Sequence, residues 1–148
     1  NNNAYCQDNE ISWIDWSLTE KNAGMFRFFQ KLIAFRKTSN LVRRKTYNSG
    51  LKVKWHGVKT RVPDWGENSH SIALELCDEH EHLFLIFNAY WDDLLFELPV
   101  LPTGKKWKRL LDTSLESPGD IADSGNLFPL ESQTSYKVVG RSTVVLAV

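Results

Sequence analysis

The sequence predicts a mainly β protein, an antiparallel β-sandwich preceded by one helix. Three observations lead there. Beyond residue 71, short apolar segments alternate with turn-forming clusters and no helical stretch intervenes, as in antiparallel sandwiches. Before residue 40, Met25, Phe28, Phe29, Leu32 and Phe35 recur at helical spacing. The composition is globular, with 42% apolar and 24% charged residues and zero formal net charge, and a chain of this length can bury one good core.

The first residues, Asn1-Asn2-Asn3-Ala4-Tyr5-Cys6-Gln7-Asp8-Asn9-Glu10-Ile11-Ser12-Trp13-Ile14-Asp15-Trp16, are dense in amide, carboxylate and aromatic groups. Three asparagines are a poor start for a folded domain, and neither a signal peptide nor a basic arm precedes them. The stretch is therefore expected to be a loop from the interior of a larger protein. A helix follows over about 18–37. Ser17-Leu18-Thr19-Glu20 has capping-box spacing, Phe26 and Ile33 widen the apolar stripe, and Arg36 and Lys37 suit the negative end of the helix dipole. So wide a face needs a broad partner.

Residues 41–70 read as irregular linker. Asn48-Ser49-Gly50 is a turn signal, and Pro63-Asp64-Trp65-Gly66 is dense in loop formers. Strands follow. In 71–76, Ile72, Leu74 and Leu76 alternate onto one face with Glu75 on the other. Asp78-Glu79-His80-Glu81 makes a hairpin turn. The unbroken run Leu83-Phe84-Leu85-Ile86-Phe87 belongs to a strand covered on both faces. Leu94, Phe96 and Leu98 alternate until Pro99 stops them. Residues 105–112, 136–139 and 142–148 supply further strands, with a long loop over 113–133. The expected division is 1–40, a loop and helix; 41–70, linker; and 71–148, the sandwich.

Several functions are disfavoured. A pI near 7.1 lacks the basic excess of a nucleic-acid footprint, and no apolar run has the length of a membrane span. Cys6 and Cys77 stand far apart without metal-ligand spacing, which favours free thiols in a reducing compartment. No nucleophile elbow, phosphate-binding glycine loop or zinc-protease motif is present. Asp8, Glu10, Asp15, Asp64, Asp92 and Asp93 are candidate carboxylates for glycoside chemistry, but spacing along loops pairs none of them. His56 and His70 have no neighbouring partner, and His80 and His82 flank Glu81 in the charged hairpin. Six tryptophans stand out. Trp65 and the Tyr90-Trp91 pair are candidate platforms for a glucose ring, or packing against an edge or a neighbouring domain.

The opening stretch through Trp13 resembles the loop after the last barrel strand in bacterial glycogen debranching enzymes and plant isoamylases of the α-amylase superfamily. Lys31-Leu32-Ile33-Ala34-Phe35-Arg36 resembles the last helix of the (β/α)8 barrel. Trp55-His56-Gly57-Val58 with Pro63-Asp64-Trp65 resembles the link to the C-terminal domain. Phe87-Asn88-Ala89-Tyr90-Trp91, Phe96-Glu97-Leu98-Pro99, Leu110-Leu111-Asp112-Thr113 and Arg141-Ser142-Thr143-Val144-Val145-Leu146 follow in family order. The resemblance implies a cytoplasmic or plastid glycoside hydrolase that opens α-1,6 branch points of glycogen or starch without a cofactor or metal. The family's catalytic carboxylates lie on earlier barrel strands and match no position here. By analogy Asn2, Asn3, Tyr5 and Asp8 lie at the barrel rim, as sugar contacts or loop scaffold. Three expectations follow: an inactive C-terminal fragment that supports its own N-terminal barrel; alternatively, a glucan-binding module using Tyr90, Trp91 or Trp65; and possible self-association where Phe28, Phe29, Leu32 and Phe35 lack the barrel. Neither nucleic acid nor membrane is an expected partner.

Overall fold

The computed structural model describes residues 5–44, 50–123 and 125–148. Among the described residues two helices, α1 (Leu18–Lys21) and α2 (Ala23–Thr38), precede eight strands. These are β1 (Lys52–His56), β2 (Ser71–Cys77), β3 (His82–Asn88), β4 (Leu94–Glu97), β5 (Lys108–Asp112), β6 (Phe128–Pro129), β7 (Ser135–Val138) and β8 (Ser142–Ala147). A six-stranded sheet runs β1-β2-β3-β8-β5-β6, and β4 pairs with β7 in a second sheet. Every pairing is antiparallel. The predicted mainly β, antiparallel sandwich stands.

The large sheet is covered on both faces. Phe84, Ile86, Val144 and Leu146 point into the main core with Phe96, Leu98, Trp107 and Val138. Leu85 and Val145 point the other way, into a cluster with Leu110, Leu111 and Ile121 against which Phe28, Leu32 and Phe35 of α2 pack. The layers are thus helix, sheet and sheet. This is why the run from Phe84 to Ile86 is apolar without a period: alternate side chains enter different cores. A hydrogen bond between the sheets adds to the packing. Tyr136 on β7 donates to Asp112 Oδ2 on β5 at 2.8 Å, and burial together with that carboxylate pushes the phenol up to about 12.

The structure corrects several expectations. Residues 52–56 lie within the supposed linker yet form β1, with Lys54 opposite Glu75 and His56 opposite Ala73 on β2. Loop signals on either side hid a short strand in which Lys and apolar residues alternate. The predicted single helix breaks at Asn22, whose backbone (φ −111°, ψ 34°) is not helical. The capping box does not form. Ser17 is itself helical and makes no side-chain cap; its hydroxyl donates instead to Asp15 Oδ1 at 2.6 Å, and its N–H donates to the same oxygen at 3.0 Å. Asp15, two residues earlier, competes successfully for the serine. The faces of β2 are also reversed. Ala73 and Glu75 are buried, while Ile72, Leu74 and Leu76 are only half-buried on the opposite side. The loop over 113–133 carries β6 and an isolated bridge between Leu111 and Ile121.

Helix α2 meets the β-structure along one side and at its end. Arg27 pairs with Asp120 and Lys31 with Asp123 Oδ1 at 2.8 Å. Beyond its last turn, the Glu81 carboxylate accepts from Ser39 Oγ at 2.7 Å, Asn40 N–H at 3.0 Å and Leu41 N–H at 3.1 Å. The charged hairpin turn is thus also an anchor. Arg44 pairs with Asp78 on the same turn, and the backbone N–H groups of Glu81 and His80, with the Arg44 guanidinium, hold the Asp78 carboxyl down to about 2. The other side of the helix is open: Met25, Phe26, Phe29 and Ile33 are each at least half exposed.

Candidate functional site

The site is built at the end of β3. Asn88 is buried, and its Nδ2 lies within hydrogen-bond distance of the carbonyls of Asp92, Val138 and Val139 at 3.0, 3.1 and 3.2 Å. Its Oδ1 accepts from the Tyr90 N–H at 3.1 Å, and the Arg141 N–H donates to the Tyr90 carbonyl at 2.9 Å. One buried amide thereby ties the turn over 89–93 to the β7–β8 connection. The two chains approach so closely that a Cβ at Gly140 would stand 2.3 Å from the Trp91 carbonyl oxygen. On this locked turn the Tyr90 and Trp91 rings stack with centroids 3.9 Å apart and planes 29° apart. Trp91 remains 63% exposed.

A second aromatic platform comes from the loop before β2. Asp64 Oδ1 accepts from the Gly66 N–H at 2.9 Å, a local turn that presents Trp65, whose ring meets Trp55 edge-on at 5.6 Å and 71°. Trp65 is 65% exposed. Between Trp65 and His70 lies a hollow of about 430 Å³, floored by Ile72 and Phe87. The His70 ring stands 6.2 Å from Tyr90 and 6.4 Å from Trp91. Trp65, Tyr90 and Trp91 were candidate platforms in the sequence. Sequence reasoning missed His70, which comes from a separate loop.

The opening loop is held mainly by its own residues. Asn2 and Asn3 lie outside the described residues. Tyr5 is 86% exposed. Asp8 Oδ1 accepts from the Trp13 indole N–H at 2.7 Å, and Asn9 Oδ1 accepts from the Ile11 N–H at 3.0 Å. Other candidate carboxylates also serve local structure. Asp15 holds Ser17, Asp64 holds Gly66, and Asp93 accepts from the Gly140 N–H and pairs with Lys137. Cys6 and Cys77 are free.

An ionisable cluster missed in the sequence lies under the large sheet. Glu75, only 4% exposed, receives Lys54 Nζ at 3.1 and 3.2 Å, His82 Nε2 at 2.9 Å and His56 Nε2 at 3.2 Å. The signal was available in register, because Lys54, Glu75 and their neighbours His56, Ala73 and Phe84 share one face of β1, β2 and β3. His56 Nδ1 accepts the Arg61 N–H at 3.0 Å, so Nε2 carries the proton donated to Glu75 and the ring is neutral. This is a structural knot: each buried polar atom is spent on a neighbour.

The knot makes the fold sensitive to acid. Burial lowers the His56 pKa below its ordinary 6.5, and the opposing pull of Glu75 does not restore it. The unfolded chain then binds the proton more readily, so stability falls as pH drops below about 6.5. Burial raises the Glu75 pKa, but hydrogen bonds from His82 and Lys54 outweigh it, and the net shift is below 4.5; that contribution is lost at lower pH still. Urea unfolding at about pH 7.5 and about pH 5.5, either side of the histidine range, should show stability lost in acid, with a smaller loss in His56→Asn. An unchanged pH dependence in His56→Asn would contradict this assignment.

Known proteins share this architecture. The family described as "Isoamylase 1-3, C-terminal" matches residues 54–145. Chloroplastic isoamylase 3 of Oryza sativa subsp. japonica is 34% identical over 154 residues, covering 99% of this chain and 18% of that protein. Chloroplastic isoamylase 1 of Arabidopsis thaliana is 33% identical over 122 residues, covering 81% of this chain and 16% of its own. The glycogen operon protein GlgX homolog of Mycobacterium bovis is 30% identical over 172 residues, covering 99% and 23%. In structure, the pullulanase from Bacillus acidopullulyticus superposes with a TM-score of 0.57 at 18% identity over 90% of this chain and 15% of that one, a likeness of fold. The chain thus spans roughly a fifth of the length of these curated relatives. It belongs to the family of isoamylase C-terminal domains.

Proposed function

We propose that this chain is the C-terminal part of a debranching glycoside hydrolase acting on α-1,6 branch points of glycogen or starch, and that its β-structure holds the last barrel helix in place. Residues 1–40 are then the end of the barrel, and the β-structure is the C-terminal domain. The observation that supports the role is the two-sided use of α2. One side, Phe28, Leu32 and Phe35, packs on the large sheet, and Glu81 grips the segment leaving the helix. The adjoining side, Met25, Phe26, Phe29 and Ile33, stays exposed and fits the rest of a barrel. The barrel-facing set therefore differs from the sequence expectation: of Phe28, Phe29, Leu32 and Phe35, only Phe29 is on the open side.

In this proposal Tyr5 and Asp8, with Asn2 and Asn3, scaffold a loop at the rim of the active site, and Asp8 does so by holding Trp13. The substrate of the whole enzyme is an α-glucan, and its compartment is a bacterial cytoplasm or a plastid. The chloroplastic names of the plant relatives support the second choice.

Hydrolysis of a glycosidic bond needs an acid and a nucleophile on either side of it, and the candidate carboxylates with assigned contacts are committed to turns and ion pairs. Incubated with glycogen or pullulan, the chain should release no reducing ends above a blank; release above the blank would overturn the division of labour. Where the barrel is missing, the open side of α2 should join two copies of the chain. Sedimentation at rising concentration should show association that Phe29→Glu abolishes, whereas a strict monomer at every concentration would count against a contact role for that side.

A further inference from the structure

The exposed tryptophans on the sheet side of the molecule have a geometry that helix support does not require. Trp107 shows how this fold treats an indole meant for packing: it is 1% exposed and its Nε1–H donates to the Pro99 carbonyl at 2.8 Å. Trp65 and Trp91 are left 65% and 63% exposed, yet neither is on a loose loop. Asn88 locks the turn that carries Trp91, and Tyr90 covers one face of its ring. Trp55 and the Asp64 turn steady Trp65. Rings fixed in advance lose little freedom on binding.

We propose that the hollow between Trp65 and His70, with the Tyr90–Trp91 turn beyond His70 at its margin, binds a neutral oligosaccharide, specifically an α-linked glucan, with the two indoles as stacking platforms. A pyranose ring has an apolar C–H face and a rim of hydroxyls. The apolar face suits an exposed indole, and the hydroxyls suit the polar groups beside it. His70 Nδ1 lies 2.6 Å from the Asn68 carbonyl. A carbonyl only accepts, so in the neutral ring Nδ1 carries the proton and Nε2 is left as an acceptor for a sugar hydroxyl. Asp64 uses Oδ1 on Gly66 and can accept a hydroxyl at its second oxygen. Ile72 and Phe87 supply an apolar floor.

Other ligand classes fit less well. An extended peptide adds to a sheet through a free strand edge, whereas this floor lies on β2 and β3, both interior strands of the sheet. A phosphate backbone demands cationic side chains, and the ionisable groups lining the hollow are Asp64 and His70. The choice of an α-glucan over another neutral saccharide rests on the debranching reading above; the saccharide site itself rests on the rings.

The test is titration of the 148-residue chain with maltoheptaose, followed through the indole N–H resonances, with cellohexaose in a parallel arm. Maltoheptaose should shift the Trp65 and Trp91 signals. Trp65→Ala and Trp91→Ala should each weaken binding about tenfold, the factor equivalent to about 1.4 kcal/mol. Both side chains are exposed, so neither variant threatens the fold, and Trp16→Ala, an exposed tryptophan elsewhere, should bind normally. No shift up to the solubility limit, or equal binding by Trp65→Ala and Trp91→Ala, would overturn the site. Equal binding of cellohexaose would overturn the α-glucan assignment. Neither outcome bears on the helix-support role, which is read from stability and association.

Discussion

Glu81 is the point where the helical and β parts of the chain become one body. Three donors from residues 39–41 converge on its carboxylate, and hydrogen bonds to a charged acceptor are worth roughly twice neutral ones. Its own turn is set by Asp78, which accepts the N–H groups of His80 and Glu81 and pairs with Arg44. The direction in which the chain leaves α2 is therefore dictated by the β2–β3 hairpin. Farther up the helix, Arg27 and Lys31 reach the loop over 113–133, between the apolar contacts of Phe28, Leu32 and Phe35. The polar contacts fix orientation, and the apolar ones supply most of the stabilisation.

Beneath the same sheet, Glu75 does a comparable job for register. A buried carboxylate is costly unless paired, and a buried pair is weak evidence of net stability. Its effect here is selectivity. A one-residue slip of β1 against β2 would turn one strand over and separate Glu75 from Lys54 and His56, leaving the buried carboxylate with His82 alone. The cluster thus fixes the alignment that sets β1 along the sheet edge, and with it Trp55 against Trp65 at the rim of the aromatic hollow.

Much of the fold was legible because its signals are local. The run 83–87 lacked a period, and Phe84, Leu85 and Ile86 do enter two cores; the strand expected to run to Pro99 ends at Glu97; the turn positions of Trp65 and Tyr90-Trp91 were visible in their neighbours. What misled was long-range compensation. Glu75 looked like a solvent-facing mark because its charge is evident in sequence, while the Lys and His that satisfy it lie on other strands. Ile72, Leu74 and Leu76 then took the core face by default. Ser17 matched a capping box, but Asp15 lay close enough to claim its hydroxyl. The stripe on α2 revealed a wide face without showing which half meets which partner. For the candidate site, the aromatic residues were singled out but the hollow was not, since His70 is brought beside Tyr90 and Trp91 only through the pairing of β2 with β3.

The account depends on α2 belonging energetically to the β-structure on one side only. The most direct measurement is urea unfolding, at dilute concentration, of Leu32→Ala beside Phe29→Ala. Leu32 packs on the second core, so its truncation should cost about 2 kcal/mol or more. Phe29 is half exposed, and its truncation should stay within about 0.5 kcal/mol. Equal costs, or a larger cost at Phe29, would mean that the helix does not sit on the sheet as described.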